Sequence, residues 1–235
     1  SPDKDFVTRD VVDGRWAEAV GEADDEFGDG LWALPGLVDA HAHLSAETLN
    51  YEPGSPEGAA MRAKQALAAG VTLIFDKGWS DASTVEMIDD VPEEERPEIE
   101  AAAQFLAVKD GHIPGFANEI DPEAIGPAVL VASAEGRGWV KLAGDWPRKG
   151  RGPVTNFSYQ QLVTAVEAAA SVGARIAIHT MAREVPSAAV AAGVHSIEHG
   201  LFLNEDDLVS LGARGGMWVP TVLRIEAIVE QLGPV

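Results

Sequence analysis

The sequence predicts an α/β fold, a (β/α)8 barrel of the TIM type with seven βα units in 235 residues. Three observations carry this. Short apolar runs alternate with amphipathic segments, and glycines close most of the segments. Alternation of that kind implies right-handed crossovers and a parallel sheet. The units recur every roughly 28 residues, the pace of such a barrel. An open doubly wound sheet is the alternative, weakened because no G-x-G-x-x-G follows the first apolar run.

The elements follow in order. Residues 1–33 hold short extended pieces and an acidic run from Glu18 to Asp29, and form a small N-terminal β segment, part of a small β-domain. Residues 34–235 form the barrel. The first strand spans 34–40 and reads as buried. A helix over 58–69 ends at Gly70, placed as a C-terminal cap. VTLIF at 71–75 is the second strand, followed by Asp76 and by a helix from Asp81 to Ile88. A third strand lies near 99–107, before the long loop KDGHIPGFANEI. Asp121-Pro122 looks like an N-cap with proline at the first helical position. WVKLA at 139–143 is the fourth strand, and a Gly/Pro/Arg-rich loop occupies 144–157. A helix over 158–172, the strand RIAIH at 175–179 and a helix over 182–192 follow. The sixth strand is VHSIEH at 194–199, the seventh MWVP at 217–220, and helices are expected at 205–211 and 225–231.

Composition excludes several partners. The formal net charge is −21, which disfavours nucleic acid and anionic membranes, since both recruit Lys and Arg. No cysteine is present, so disulfides and thiolate metal sites are excluded. No apolar run of about 18 residues occurs, as a membrane span requires. SPDKDFVTRD is unlike a signal peptide, so a cytoplasmic location is expected.

Chemistry concentrates where the strands end. In LPGLVDAHAHL, His41 and His43 stand two apart on an extended chain and so point the same way. Both can reach one ion, as zinc sites with neutral imidazole ligands require. Lys141, His179 and His199 lie at the ends of later strands, on the catalytic face of such a barrel. Four of the six histidines thus fall on one face and predict a metal site. His195, at the other end of its strand, is expected to pack or hydrogen-bond. Asp76 is expected to bond a loop backbone. Glu198 should alternate away from His199 and face the helices.

PGLVDAHAHL, WVKLAG, the His closing RIAIHT, and SIEHG together resemble the amidohydrolase superfamily of metal-dependent hydrolases. SIEHGLFL with MWVPTVL, and GVTLIFDKG, resemble its imidazolonepropionase and prolidase-like branch over about residues 34–223. The resemblance implies two ions, zinc or other divalent metals, with His41 and His43 on the first and His179 and His199 on the second. It implies that Lys141 is carboxylated by CO2 and bridges them. The physics agrees: an ammonium between two dications is disfavoured, and a neutral lysine is nucleophilic. Two such ions roughly 3.5–4 Å apart can activate a shared hydroxide. The implied reaction is hydrolysis of an amide, lactam or dipeptide C–N bond in a small-molecule amide or peptide-like substrate.

His112, in GHIPG, would contact the substrate or its oxyanion. Met181 stands where that branch commonly has tyrosine, so its oxyanion partner or substrate class is expected to differ. Specificity would come from loops 45–57, 107–120 and 144–157, where Arg148, Lys149 and Arg151 could attract a carboxylate. The superfamily's general-base aspartate, at the end of strand eight, has no counterpart after Val219, and a fragment of a longer enzyme or a truncated paralogue is expected. A non-catalytic truncated metal-binding or assembly protein and a mononuclear deaminase or chlorohydrolase are the competing functions. A homo-oligomer is compatible with the sequence.

Overall fold

A computed structural model describes residues 8–13, 15–22, 32, 34–46 and 54–232. The chain forms two compact units, Ser1–Pro35 and Gly36–Val235. In the first, β1 (Arg9–Val12) and β2 (Arg15–Glu18) pair antiparallel. Asp13 takes a left-handed φ of 50° between them. Most of the acidic run lies outside the described residues.

The second unit alternates strands and helices. Its first sheet has the order β3 (Leu37–Ala42), β4 (Val71–Asp76), β5 (Glu98–Ala101), all parallel. The second sheet has the order β13 (Met217–Val219), β12 (Ser196–His199), β11 (Arg175–Thr180), β8 (Trp139–Ala143), β6 (Leu106–Val108), β7 (Asn118–Ile120), also parallel. A parallel bridge between Ala101 and Gly138 joins β5 to the start of β8. β3, β4, β5, β8, β11, β12 and β13 therefore neighbour one another in sequence order, whereas β6 pairs with β8 and carries β7 on its other side.

Helices α1 (Pro56–Ala68), α2 (Ser83–Asp90), α3 (Ile125–Glu135), α4 (Tyr159–Ser171), α5 (Val185–Ala192) and α6 (Glu205–Ala213) lie between these strands, and α7 (Val222–Leu232) follows β13. Their starts have identifiable causes. Ser55 Oγ accepts from Gly58 N at α1, so that helix begins earlier than residue 58. Capping boxes open α4 (Ser158 with Gln161) and α6 (Asn204 with Asp207). Gly193, at φ 92°, ends α5. The main core packs α3, α4 and α5 on β8, β11 and β12 through Leu142, Leu162, Ile176, Ile178, Val190 and Ile197. Among the described residues, no helix is long and apolar enough to cross a membrane.

Four expectations are corrected. The first strand begins at Leu37, and Leu37 and Val38 are exposed, because β3 pairs only with β4 among the described residues. The strand foreseen over 99–107 is two, β5 and β6. Between them the Ala102 N–H donates to Asp76 O and the Trp79 N–H to Ala103 O, so the chain follows the end of β4. The loop 109–120 contains β7. The loop 144–157 contains a hairpin, β9 (Asp145–Arg148) against β10 (Gly152–Thr155).

Candidate metal centre

The segment after β3 is fixed by Asp76, at the end of β4. Its buried carboxylate accepts from Leu44 N (2.6 Å) and Gly78 N (2.8 Å), with Thr84 Oγ1 at 3.5 Å. Burial raises its pKa to about 6, against those donors. Asp76 thus bonds loop backbone. Gly78 has a φ of 77°, and a Cβ there would sit 2.1 Å from Ala103 O. Only glycine fits. Its carbonyl accepts from His43 Nδ1 at 2.6 Å.

Three imidazoles are anchored through Nδ1, which leaves Nε2 free. His43 bonds Gly78 O, His41 Nδ1 donates to Glu198 Oε2, and His199 Nδ1 shares a 2.6 Å hydrogen bond with Thr221 Oγ1. Metal-binding histidines are commonly held this way. Ring centroids lie 5.1 Å apart for His41 and His43, 5.4 Å for His41 and His199, and 4.8 Å for His179 and His199. His179 Nε2 is buried without a hydrogen-bond partner and stands 4.0 Å from Asp145 Oδ1. Asp145 in turn accepts from Met181 N and Ala182 N, both at 2.9 Å, and so sets the turn after β11.

Lys141, on β8, is 2% exposed, and its amine has no hydrogen-bond partner. Burial, with the nearby Lys77 charge and against Glu198, lowers its pKa to about 7. Its charge acts on His41, His43, His112, His179 and His199 alike. Burial lowers the pKa of all five histidines, to about 4 for His112 and about 3 for His199, so each is neutral near pH 7. The five residues predicted as ligands are thus gathered at one place. Among the described residues, no three His, Asp or Glu side chains are drawn together tightly enough to enclose an ion. The donor set nonetheless suits divalent cations: neutral imidazoles, anchored through Nδ1, beside an unpartnered buried amine.

Glu198 is the main correction at the site. It does not face the helices. It is fully buried against His41, Ser196 and Lys77. The cause is local: His199 has a φ of 63°, which breaks the strand's alternation and lets both Glu198 and His199 reach His41. Lys77, Asp145 and Thr221 also went unforeseen. Lys77 and Asp145 are charged residues just past strand ends, and that was a usable signal.

His112 is buried. Its ring lies 4.4 Å from Trp146, 5.0 Å from Phe105 and 6.4 Å from His179. A cleft of about 300 Å³ beside it is lined by Asp110, Pro114, Trp146, Arg148 and Lys149. Arg148 is tied to Lys109 O (3.2 Å) and Asn156 Oδ1 (3.1 Å), whereas Lys149 and Arg151 are exposed. A larger cleft, about 520 Å³, lies along Ile88–Glu93 and holds none of these groups. His195 sits at the other end of β12, where its Nδ1 accepts from Ile176 N at 3.4 Å. Of the loops assigned to specificity, residues 47–53 lie outside the described residues.

The sequence profile of the amidohydrolase family matches residues 32–233. The chain belongs to that family. Uncharacterized proteins of Mycobacterium tuberculosis and Mycobacterium bovis are each 34% identical to this amidohydrolase over 230 residues. Those matches take in 96% of this chain and 60% of each relative, so the chain spans about 60% of their length. Solved structures share the fold. An ochratoxinase from A. niger superposes with a TM-score of 0.68 at 21% identity, over 86% of this chain and 55% of that one. A Xaa-Pro dipeptidase with methionine bound in its active site gives 0.67 at 24% identity, over 84% and 55%. A molinate hydrolase gives 0.64 at 18% identity, over 87% and 56%.

Proposed function

We propose that this amidohydrolase is a metal-dependent hydrolase of C–N bonds, cleaving an amide, lactam or dipeptide bond in a small molecule. The carrying observation is the convergence of anchored, neutral imidazoles on the unpartnered amine of Lys141. In this reading β3, β4, β5 continued by β6, β8, β11, β12 and β13 are seven staves of a TIM-type barrel, with the site at their C-terminal ends. Residues 1–33 belong to a small β-domain and residues 34–235 to the barrel. A cytoplasmic enzyme without nucleic-acid or membrane partners suits the charge of −21.

His41 and His43 would hold one divalent ion, His179 and His199 a second, and Lys141, carboxylated by CO2, would lie between them. Zinc is the favoured metal. When bound, such ions supply Lewis acidity and acidify a water. The chain's own residues do the rest. Gly78 O, Glu198 and Thr221 orient the imidazoles. His112, neutral and packed on Trp146 and Phe105, offers a hydrogen bond to the substrate oxygen that gains charge. The Trp146 cleft receives the substrate, and Arg148 and Lys149 on its wall favour a carboxylate-bearing one.

Metal per chain, measured by elemental analysis after purification without chelator, tests this reading. The expected result is two ions in the wild type and one or none in Lys141→Ala. A single ion in both would favour a mononuclear centre. None in either would sink the proposal.

A further inference from the structure

One carboxylate gathers three partners in the interior. Glu198 is 0% exposed. Its Oε2 accepts from His41 Nδ1, and its Oε1 accepts from Ser196 Oγ at 2.5 Å and lies 3.2 Å from Lys77 Nζ. Lys77 is 1% exposed, and its ammonium lies 4.7 Å from the Trp139 ring centroid and 5.5 Å from that of Phe75. Trp139 is fixed in turn: its Nε1 donates to Glu100 Oε2 at 2.6 Å, and Arg175 covers its ring at 4.4 Å. The cation that meets Glu198 therefore sits on a braced aromatic platform.

We propose that the Lys77–Glu198 ion pair positions His41, holding it as the Nδ1–H tautomer with its Nε2 lone pair turned to the ion site. The proposal rests on the metal-centre reading above. Burying two charges is costly, and hydrophobic replacements often serve stability as well or better. A pair aimed at one imidazole nitrogen has another use. A carboxylate can only accept, so the nitrogen facing it must carry the proton, and the opposite nitrogen is left bare. His43 reaches the same state through a backbone carbonyl, independently of Glu198. It is a built-in control.

Two readouts test this. The first is imidazole tautomer state in the metal-free chain, read from two-bond proton–nitrogen correlation spectra. Wild-type His41 is expected as Nδ1–H. In Glu198→Gln the amide can donate, and His41 is expected to switch to Nε2–H while His43 does not change. The second is zinc affinity against a competing chelator. Glu198→Gln and Lys77→Met are expected to weaken the first site about 10–100-fold, the range for lost partners behind a ligand. Lys77→Arg, which keeps the charge, should restore most of the loss. Should Glu198→Gln not fold, the Lys77 variants decide. An unchanged His41 tautomer, or Lys77→Met binding zinc like the wild type, would overturn the positioning role. A wild-type chain that binds no zinc yet shows the selective His41 switch would instead overturn the metal-centre reading and leave the positioning role standing.

Discussion

At the residue scale, Asp76 shows how burial and function separate. Its carboxylate touches no predicted ligand side chain, yet it clamps Leu44, which follows His43, and Gly78, whose carbonyl accepts from His43. Its folded pKa, about 6, exceeds the ordinary aspartate value of 3.8. The folded state therefore holds an extra proton between those values. Asp76 favours folding fully below pH 3.8, and this contribution is lost as pH rises through about 6. At 1.36 kcal/mol per unit the swing is about 3 kcal/mol. Relative to Asp76→Asn, which does not titrate, the wild type should gain stability as pH falls from 7 to 4, measured by urea unfolding. A flat difference would refute the assignment. Gly78→Ala is expected to cost about 1–3 kcal/mol for its left-handed backbone alone, and to weaken zinc binding through His43. Normal stability with normal zinc affinity would show that Gly78 O is not needed. The convergence of His41, His43, Lys141, His179 and His199 was legible in the sequence, because each stands within two residues of a strand's C-terminal end. Glu198 was misread because period-two alternation fails at the left-handed His199. Lys77 stands just past a strand end, which marks it as a residue of the site, but nothing local announces its partner 121 positions away in sequence (77 to 198).

At the element scale, the type and order of the main strands and helices were legible because glycine, proline and caps punctuate them. Boundaries were less so. Ser55 opens α1 two residues before the expected start through a side-chain bond that a hydrophobic period does not reveal, whereas α6 begins at Glu205 as expected and runs on to Ala213. The β9–β10 hairpin was hidden because Pro147, Pro153 and three basic residues interrupt any alternation between them. The capping box at α4 offers a clean test. Ser158 Oγ accepts from Gln161 N, and the Gln161 side chain accepts from Ser158 N at 2.9 Å. Ser158→Ala should cost about 1 kcal/mol, the usual loss at an N-cap, with zinc affinity unchanged because α4 holds no predicted ligand. A large fall in zinc affinity would mean that α4 is coupled to the site in a way its packing does not suggest.

At the scale of the whole molecule, the predicted ligands span residues 41 to 199, on β3, β8, β11 and β12 and the turns that follow them. An ion held by all of them bridges segments that separate on unfolding. Binding is then coupled to global stability: a ligand at 100 times its Kd adds about 2.7 kcal/mol. Removing metal with a chelator should lower Tm, and restoring zinc should reverse the fall. The net charge of −21 makes a control necessary, since 38 carboxylates will draw divalent cations loosely to the surface. Surface condensation screens repulsion and depends little on ligand chemistry. Magnesium and calcium would produce it as well as zinc, although both prefer oxygen ligands. An imidazole-rich site discriminates, favouring zinc and similar metals. The expected result is therefore a Tm rise with zinc that magnesium at equal ionic strength does not reproduce, and that is reduced by half or more in His41→Ala. Equal stabilisation by both cations would place the effect on the acidic surface, and the four histidines would then owe their convergence to packing.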